Sequence, residues 1–509
     1  MDGLKRGKWL WIFGLLILLV SYVAIRLTNL TLTPIFTDEA IYIRWSQIGA
    51  RDAAWRFISL TDGKQPLFTW IMMVFLRILP GFDPLFVGRL VSVAAGLGSM
   101  IGLFVLGGEL FGRKTGLVAS FLYLICPFAL VYDRMALYDS LVAMFAIWNL
   151  YIGIRLVKTL RTDTAYVFGM TLGAGMLNKT SGFFSAYLAP LTLVLFDWSR
   201  HGRGNRLIRL LGLFLLAGML SQLMYSVLRL SPFFHLVGQK DAVFVYPFSE
   251  WLTHPFRFLT GNLKGLFDWV SHYLTIPIFT AAILAVFTLW RRPREKLLLY
   301  GMWLFPFVAL ALFGRVLYPR FILFMSMPLL LLAAEFLVTV WGKIRFAPWK
   351  MLLVLVIVGI PMWTDWYLLY DPLHAPIPLS DKGQYVDDWP SGWGVREANA
   401  FLLSESIKGP ITVYTDGTFG LLPYAIEIYL VDRPNITIRG IWPLPPDMPP
   451  EMLEQAQKEP TYFVLNQEQV VPLKWPLTLI AQYTKGTRVD KKLRLLQVNP
   501  HPAQPKLSK

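Results

Sequence analysis

The chain has 509 residues, of which 55% are hydrophobic and only 16% are charged, and this composition excludes an ordinary soluble protein, in which about a quarter of the residues are charged. Its net charge of +16 would suit a nucleic-acid-binding protein, but the basic residues lie mostly in short loops between long apolar segments. That distribution orients membrane proteins, so we expect a polytopic α-helical membrane protein that binds no nucleic acid.

The first apolar segment, about residues 8–28, is long enough to span a bilayer. It has no small-residue cleavage pattern, which favours a retained helix over a removed signal peptide. Lys5 and Arg6 before it and Lys8 at its start predict a cytoplasmic N-terminus. The following residues 29–84 are then an outer loop, and its short apolar run 66–79 is predicted to be an interfacial helix because it is short for a span.

Ten later apolar segments have the length of transmembrane helices, at about 85–107, 116–131, 139–157, 165–179, 182–198, 207–229, 271–290, 297–314, 319–341 and 350–369. Five of the loops between them are rich in Lys and Arg and alternate with loops that are poor in both. The positive-inside rule therefore predicts about eleven transmembrane helices in the plasma (inner) membrane, with the N-terminus in the cytoplasm and the C-terminus outside.

The character of the sequence changes after the last predicted span, where the membrane domain, residues 1–370, would end. Residues 371–393 are rich in Pro, Asp and Gly and are predicted to be a linker. Alternating patterns follow, with helices at 395–404, 421–430 and 450–457 and strands at 411–415, 435–439 and 461–465. We expect a small extracytoplasmic α/β domain over residues 394–509, without a glycine-rich phosphate loop or metal cluster.

Acids and bases of particular types lie near the predicted outer ends of the spans. They are Asp38, Glu39, Lys64, Asp133, Arg134, Asp139, Lys179, Arg315 and Arg320. Carboxylates together with several cations at one depth would suit an anionic phosphate with a base beside it. Simpler explanations remain open, since Asp38 and Asp139 could cap helices and Lys179 and Arg320 could anchor span ends in the lipid headgroups.

Five motifs in order carry a family resemblance. They are Asp38-Glu-Ala-Ile-Tyr42, Lys64-Gln-Pro-Leu67, Tyr138-Asp-Ser140, Asn178-Lys-Thr-Ser-Gly182 and Tyr318-Pro-Arg-Phe-Ile-Leu323. Over residues 8–340 the chain resembles membrane glycosyltransferases of the GT-C fold. It is similar in particular to the protein O-mannosyltransferase-like family 39 group and to its bacterial relative, the lipid A aminoarabinose transferase.

The resemblance implies a polyprenyl-phosphate sugar donor and a lipid, glycan or protein acceptor on the outer face, with inversion at the anomeric carbon. Asp38 falls on the family's catalytic acidic position and Asp139 on its second acidic position. Lys64 and Lys179 fall on lysines of the donor-phosphate region. The chain departs from the pattern at Gln65, where the family commonly has proline.

A second departure is Ile41, which stands where the aminoarabinose transferase has an arginine. Arg44, or Arg134 from another loop, could supply that charge. Arg134 could also form only a local ion pair with Asp133.

The chemistry of the residues agrees with this assignment. An ionised Asp38 could take the proton of an attacking hydroxyl, while Lys64, Lys179 and Arg320 stabilise the leaving phosphate. The apolar residues of the interfacial helix 66–79 would contact the polyprenyl chain. The predicted catalytic residues are Asp38, Glu39 and Asp139, and the predicted substrate-binding residues are Tyr42, Lys64, Arg134, Lys179, Tyr318 and Arg320.

We expect that this reaction requires no cofactor. The single cysteine, Cys126, excludes a cysteine zinc cluster, and no ligand spacing demands a metal, although the three acids could hold a divalent cation. The alternative function is a polytopic transporter or flippase of lipid-linked sugars. Transporters usually carry charges near mid-membrane, whereas these charges are predicted at one face, which favours a glycosyltransferase.

Overall fold

A computed structural model describes residues 2–466 and 474–500. Up to Tyr370 the described chain is almost entirely helical. The helices are α1 Asp2–Leu27, α2 Thr37–Arg51, α3 Leu67–Ile78, α4 Pro84–Leu110, α5 Arg113–Leu124, α6 Pro127–Asp133, α7 Asp139–Thr159, α8 Thr162–Asn178, α9 Phe183–Leu188, α10 Arg203–Tyr225, α11 Leu236–Phe244, α12 Phe248–Thr253, α13 Leu259–Leu274, α14 Ile276–Leu284, α15 Pro293–Phe313, α16 Leu323–Lys343 and α17 Ala347–Tyr370.

Every predicted span falls on helical structure, and the interfacial run is a separate helix, α3. Within the described residues, six helices are long and apolar enough to cross a membrane, or up to eight if each of two bent pairs is one span. The number eleven therefore stays a prediction.

The two bent pairs show where apolar length misleads. Helices α5 and α6 meet at 62°, and the continuation of α13 through Ile276–Thr288 is bent by 106°, where the sequence predicted one span over 271–290. At the second bend Thr275 has a φ of 63° and Pro277 follows. The left-handed residue ends α13, and the proline cannot donate an internal helical hydrogen bond.

The two ends of the membrane helices have different neighbours. Helix α4 begins beside the C-terminal domain, where Tyr429 donates a hydrogen bond to Asp83 at 3.2 Å. It ends near Glu109, which pairs with Lys158 in the last turn of α7 at 2.7 Å. We call the first end the domain face. The basic loops identified in the sequence lie at the other end of the helices.

The core of the membrane domain is α16. In its most apolar window, within Pro319–Lys343, 83% of the residues are buried inside the protein. Helices α4 and α5 cross closely beside it, because a Cβ on Gly107 would lie 2.8 Å from the Gly116 Cα. Small residues at such a crossing let two backbones approach, which is how apolar helices gain packing energy in a membrane.

The C-terminal domain is a five-stranded sheet with helices. Its elements, after the short helix α18 Leu379–Lys382, are α19 Val395–Lys408, β1 Ile411–Thr415, α20 Leu421–Leu430, β2 Ile436–Gly440, α21 Pro450–Lys458, β3 Thr461–Leu465, β4 Leu477–Lys485 and β5 Arg488–Val498. The strand order is β2-β1-β3-β5-β4, with β1, β2 and β3 parallel and β5 antiparallel to both neighbours. The three predicted strands and three predicted helices are present, whereas the hairpin β4–β5 was not predicted.

The C-terminal domain is fixed to α2. Arg44 pairs with Glu427 of α20 at 2.6 Å, and Gln47 donates to the Ile428 carbonyl at 2.9 Å. The segment 371–393 also packs closely, because Thr37 donates its backbone N–H to the Pro390 carbonyl at 3.0 Å. Helix α2 is therefore held by both α20 and segment 371–393.

Candidate active site

Glu39 organises the start of α2 from a fully buried position. Its carboxylate accepts hydrogen bonds from the backbone N–H of Phe36 at 2.9 Å and of Ala136 at 2.7 Å. Arg89 of α4 donates one hydrogen bond to each of the two carboxylate oxygens, both at 2.8 Å. The Glu39 carboxylate, which is paired with Arg89 and hydrogen-bonded to two backbone N–H groups, thus links α2, α4 and the turn before α7. It thereby fixes the first turn of α2, which carries Asp38.

Asp38 lies between two cations. Its Oδ1 is 3.6 Å from the Lys64 Nζ and its Oδ2 is 3.2 Å from an Arg320 guanidinium nitrogen. Lys64 also pairs with Asp62 at 3.3 Å and donates to the Tyr42 hydroxyl at 2.9 Å. Four predicted residues from α2, the following loop and the short turn before α16 are thus in direct contact.

Asp139, the first residue of α7, and Lys179, which directly follows α8, form a second pair. The Lys179 Nζ is 2.6 Å from the Asp139 Oδ1 and lies 4.6 Å from the centre of the Phe321 ring. Asn178 donates to the Tyr138 carbonyl at 3.1 Å and holds the two helix ends together. The Tyr138 hydroxyl, which is buried, has no hydrogen-bond partner among the described residues.

These pairs line one cavity of about 580 Å³, which we call the membrane cavity. The predicted residues on its wall are Asp38, Tyr42, Lys64, Asp139, Lys179, Tyr318 and Arg320. The rest of the wall is largely apolar and includes Phe184, Phe244, Leu310, Leu317 and Phe324. A cavity with cations on one part and hydrocarbon on the other suits an amphipathic anion.

The other two predicted site residues lie elsewhere. Glu39 is enclosed by its own partners, as described above, and does not line the cavity. Arg134 is also outside it and donates to the Asn29 carbonyl at 2.7 Å. Asp133 does not pair with Arg134, because its carboxylate contacts the buried Arg26 at 3.3 Å instead.

The apolar residues expected to face a polyprenyl chain on α3 are mostly turned inward. Phe68, Met72 and Met73 are buried, and Phe68 packs against the rings of Tyr42 and Tyr138. The prediction that these side chains contact lipid is wrong for them. They support α2 instead, and the apolar wall of the membrane cavity comes from other segments.

Several residues of the site were not predicted. Lys240 and Asp241 of α11 line the membrane cavity, and Lys240 pairs with Asp62 at 2.7 Å. Gln384 and Tyr385 hydrogen-bond to Arg320 at 3.3 and 3.4 Å. Adjacent Lys240-Asp241 in the large outer loop was the available sequence signal. Nothing in the sequence pattern indicated that the predicted linker would reach Arg320.

A second cavity, of about 360 Å³, lies between α2 and the C-terminal domain. We call it the domain cavity. Asp38, Lys64 and Lys240 line both cavities. The Asp38 carboxylate is therefore at the boundary between a space among membrane helices and a space beneath the C-terminal domain.

The charges around Asp38 determine its protonation. Burial would raise the pKa of this carboxyl, but Lys64, Arg320 and Lys179 together hold the pKa below its ordinary value. Asp38 is therefore ionised at neutral pH and can accept a proton. Asp381 differs, since burial raises its pKa to about 6 although Tyr132 and Tyr273 donate hydrogen bonds to it.

Asp38, Asp62 and Asp139 are each paired with a lysine or arginine rather than with another carboxylate. Across residues 2–466 and 474–500, no three His, Cys, Asp or Glu side chains are grouped so that they could hold a metal ion.

Residues 63–225 match the family model described as dolichyl-phosphate-mannose-protein mannosyltransferase. The fold is similar to that of ArnT from Cupriavidus metallidurans in the apo state, with a TM-score of 0.58 and 15% identity over 97% of this chain and 98% of that chain. ArnT bound to undecaprenyl phosphate gives a TM-score of 0.57 and 14% identity over 96% and 98%. No curated protein sequence matches the chain.

A more distant similarity is to the archaeal oligosaccharyltransferase AglB from Archaeoglobus fulgidus, in complex with an inhibitory peptide and a dolichol-phosphate. Its TM-score is 0.50, with 14% identity over 83% of this chain and 64% of that chain. The similarity to these structures confirms the predicted GT-C fold. The family match confirms the predicted enzyme class, a membrane glycosyltransferase of the kind that uses lipid-linked sugar donors.

Proposed function

We propose that this protein transfers a single sugar from a polyprenyl-phosphate donor to a hydroxyl of a lipid, glycan or protein acceptor, at the extracytoplasmic face of the inner membrane. The observation that carries the proposal is the position of Asp38, whose carboxylate lies where the two cavities meet. A donor in one cavity and an acceptor in the other would both reach it.

The donor fits the membrane cavity by charge and by apolar surface. Lys64, Lys179 and Arg320 present cations to a phosphate, and their carboxylate partners can release them in part when that phosphate enters. The apolar wall would accept the first isoprene units. The undecaprenyl phosphate bound in the ArnT structure supports this choice of ligand.

The chemical step follows from this placement. The acceptor oxygen forms a bond to the anomeric carbon while the bond from that carbon to the phosphate oxygen breaks. Asp38 takes the proton of the acceptor hydroxyl, and the leaving polyprenyl phosphate takes the electron pair under the cations. Attack from the side away from the phosphate inverts the anomeric carbon.

Asp139 and Glu39 have different parts in this scheme. Asp139 positions Lys179 at 2.6 Å from its carboxylate, and it is the second candidate for the base because it lines the same cavity. Glu39 holds the helical turn of Asp38 from within the protein and touches no substrate.

The test uses full-length protein in liposomes with a panel of polyprenyl-phosphate sugars, and it follows release of sugar from the donor. Asp38→Asn keeps the size of the side chain but cannot take a proton at neutral pH. We expect turnover to fall by about 10²- to 10⁴-fold, with binding of undecaprenyl phosphate retained. Asp163→Asn is the matched control, since Asp163 is exposed and pairs with Arg161 at 2.5 Å at the end of the helices away from Asp38.

Two results would contradict the scheme. If Asp38→Asn turns over normally and Asp139→Asn does not, Asp139 is the base. If the wild-type protein releases sugar from no donor in the panel, the proposed function is wrong.

A further inference from the structure

The domain cavity lies where three parallel strands of the C-terminal domain end. Asp416 follows the last residue of β1, Asn466 follows the last residue of β3, and Trp442 lies just beyond β2. All three residues line the cavity. In open α/β sheets, ligands bind outside the carboxyl ends of the strands.

The strand order narrows the expected ligand site to one pair of strands. The strand order β2-β1-β3 means that the chain leaves β1 towards β2 and then returns past β1 to form β3. The point between β1 and β3, where this direction reverses, is the usual ligand crevice of such sheets. The Asn466 backbone N–H donates to the Asp416 carboxylate there at 2.8 Å, so this bond joins the ends of β1 and β3 beside the cavity.

The walls of the cavity combine aromatic and polar surface. Trp389, Phe419 and Trp442 are exposed by 38%, 49% and 55% of their surface. Asn466 is only 5% exposed, and its Oδ1 has no hydrogen-bond partner within the described parts of the chain. A buried amide oxygen without a partner costs free energy unless a ligand or water supplies a donor.

We propose that the acceptor is a carbohydrate, whose sugar ring stacks on the exposed indole of Trp442 and whose hydroxyls donate to Asn466 Oδ1 and to Asp416. A sugar ring has apolar C–H faces and a rim of hydroxyl donors, so it matches indole faces beside amide and carboxylate acceptors. An acyl chain would leave those acceptors desolvated.

This inference rests on the proposed function, because the same cavity includes Asp38. A hydroxyl at the other end of the bound glycan would lie beside the Asp38 carboxylate, which takes its proton. The C-terminal domain thereby has a defined part in the reaction, as the acceptor-binding side of the active site.

The experiment measures binding of defined oligosaccharides to the full-length protein in a detergent without a sugar headgroup. Each oligosaccharide is offered free and on a diacylglycerol anchor, since either source presents the same ring. We expect the wild-type protein to bind at least one of them and Trp442→Ala to bind it about tenfold more weakly or worse. Leu479→Ala, which removes an exposed side chain of β4 outside the cavity, should bind as the wild type does.

A kinetic measurement separates this role from a general loss of structure. Trp442→Ala should raise the KM for the glycan acceptor with no change in the KM for the donor, and Asn466→Ala should do the same. Wild-type protein that binds no glycan while it transfers sugar to a peptide overturns the inference and leaves the proposed function standing. Glycan binding that depends on Trp442, without donor turnover, supports the site and contradicts the proposed function.

Discussion

A phosphate that enters the membrane cavity meets cations that already hold carboxylates. Lys179 is closest to its partner, at 2.6 Å from Asp139, whereas Lys64 and Arg320 share Asp38 at 3.6 and 3.2 Å. These ion pairs hold the cations in position before the donor arrives. The carboxylates therefore keep the site organised at a modest cost in phosphate affinity.

Replacing Lys179 by glutamine should weaken binding of undecaprenyl phosphate by about tenfold to a hundredfold, because a charge-assisted contact is worth roughly 1.5–3 kcal/mol. The same loss is expected for Lys64→Gln and Arg320→Gln. Binding to protein in detergent can be measured by thermal shift or scintillation proximity. Lys408→Gln, at an exposed position of α19, is the control. Wild-type affinity in all three site variants would make these cations structural only.

Removing Lys179 also leaves Asp139, which is 6% exposed, without its partner. The double variant Lys179→Gln/Asp139→Asn removes that unpaired charge. It should recover stability but not phosphate affinity. Recovery of affinity in the double variant would contradict a direct contact between Lys179 and the phosphate.

Asp381 gives a pH dependence of stability with a definite sign. Its pKa is about 6 in the folded protein against an ordinary 3.8, so between these pH values the folded state holds a proton that the unfolded state releases. Stability from this group is therefore highest at acid pH and falls as pH rises from about 4 to about 6, by up to about 3 kcal/mol.

Asp381→Asn should remove that slope. The measurement is the melting temperature of the two proteins in detergent between about pH 4 and pH 7, taken as wild type minus variant. The difference should shrink as pH rises through about 6. A constant difference over this range would show that Asp381 does not titrate there.

At the residue scale, the sequence identified seven cavity residues because each stands in a short motif with a charge or a ring at a span end. Glu39, predicted beside Asp38, does not line the cavity, because adjacent residues of a helix point about 100° apart. One of them faces the cavity and the other faces Arg89. The sequence prediction missed Lys240, because its place depends on how α11 folds back over the turn at Asp62.

At the scale of elements, α2 is the one on which the site depends. The buried Glu39–Arg89 pair fixes its start, and Arg44 and Gln47 fix its outer side to α20. Breaking a buried ion pair by removing one partner costs about 3–5 kcal/mol, because the remaining charge is left without compensation.

Glu39→Gln should therefore lower the melting temperature far more than Asp38→Asn does. The order for turnover should be the reverse, with Asp38→Asn the more damaging of the two at a temperature where both proteins are folded. Arg89→Met added to Glu39→Gln should restore part of the lost stability. A Glu39→Gln protein as stable as the wild type but inactive would place Glu39 in the chemistry.

Elements were predictable where their pattern was long and regular. Each apolar segment predicted as a span coincides with helical structure, and alternating patterns located β1 to β3. The hairpin β4–β5 was missed because its strands carry polar or charged residues at about half of their positions, with only a few buried side chains such as Leu493 and Leu495. Segment 371–393 was predicted to be a linker because its Pro, Asp and Gly residues show no helical or strand periodicity. In the structure, however, its Asp381 and Tyr385 are buried against the site.

At the scale of the whole molecule, the division into a membrane domain 1–370, a linker and a C-terminal domain 394–509 stays our proposal, with closely packed boundaries. The site, α2 and the C-terminal domain share the domain face, and the basic loops lie at the far ends of the same helices. This one-sided arrangement was predictable from charge alone. The count of spans was not, because composition does not reveal a bend such as that of 106° after α13.

The orientation of the two faces is the last prediction. The basic ends should be cytoplasmic and the domain face extracytoplasmic, because positive loops are retained inside. The single native cysteine, Cys126, is buried, so an introduced cysteine can be labelled without a competing thiol. Ser404→Cys on α19 and Ser199→Cys beside a basic loop are both exposed and nearly isosteric changes.

A membrane-impermeant maleimide applied to spheroplasts should label the Ser404→Cys protein at once and the Ser199→Cys protein only after permeabilisation. Unmodified protein should stay unlabelled, since Cys126 has no exposed surface. The reverse order of labelling would place Asp38 and both cavities on the cytoplasmic side. An acceptor would then have to be cytoplasmic, and the proposed extracytoplasmic transfer would be wrong even if the chemistry at Asp38 were right.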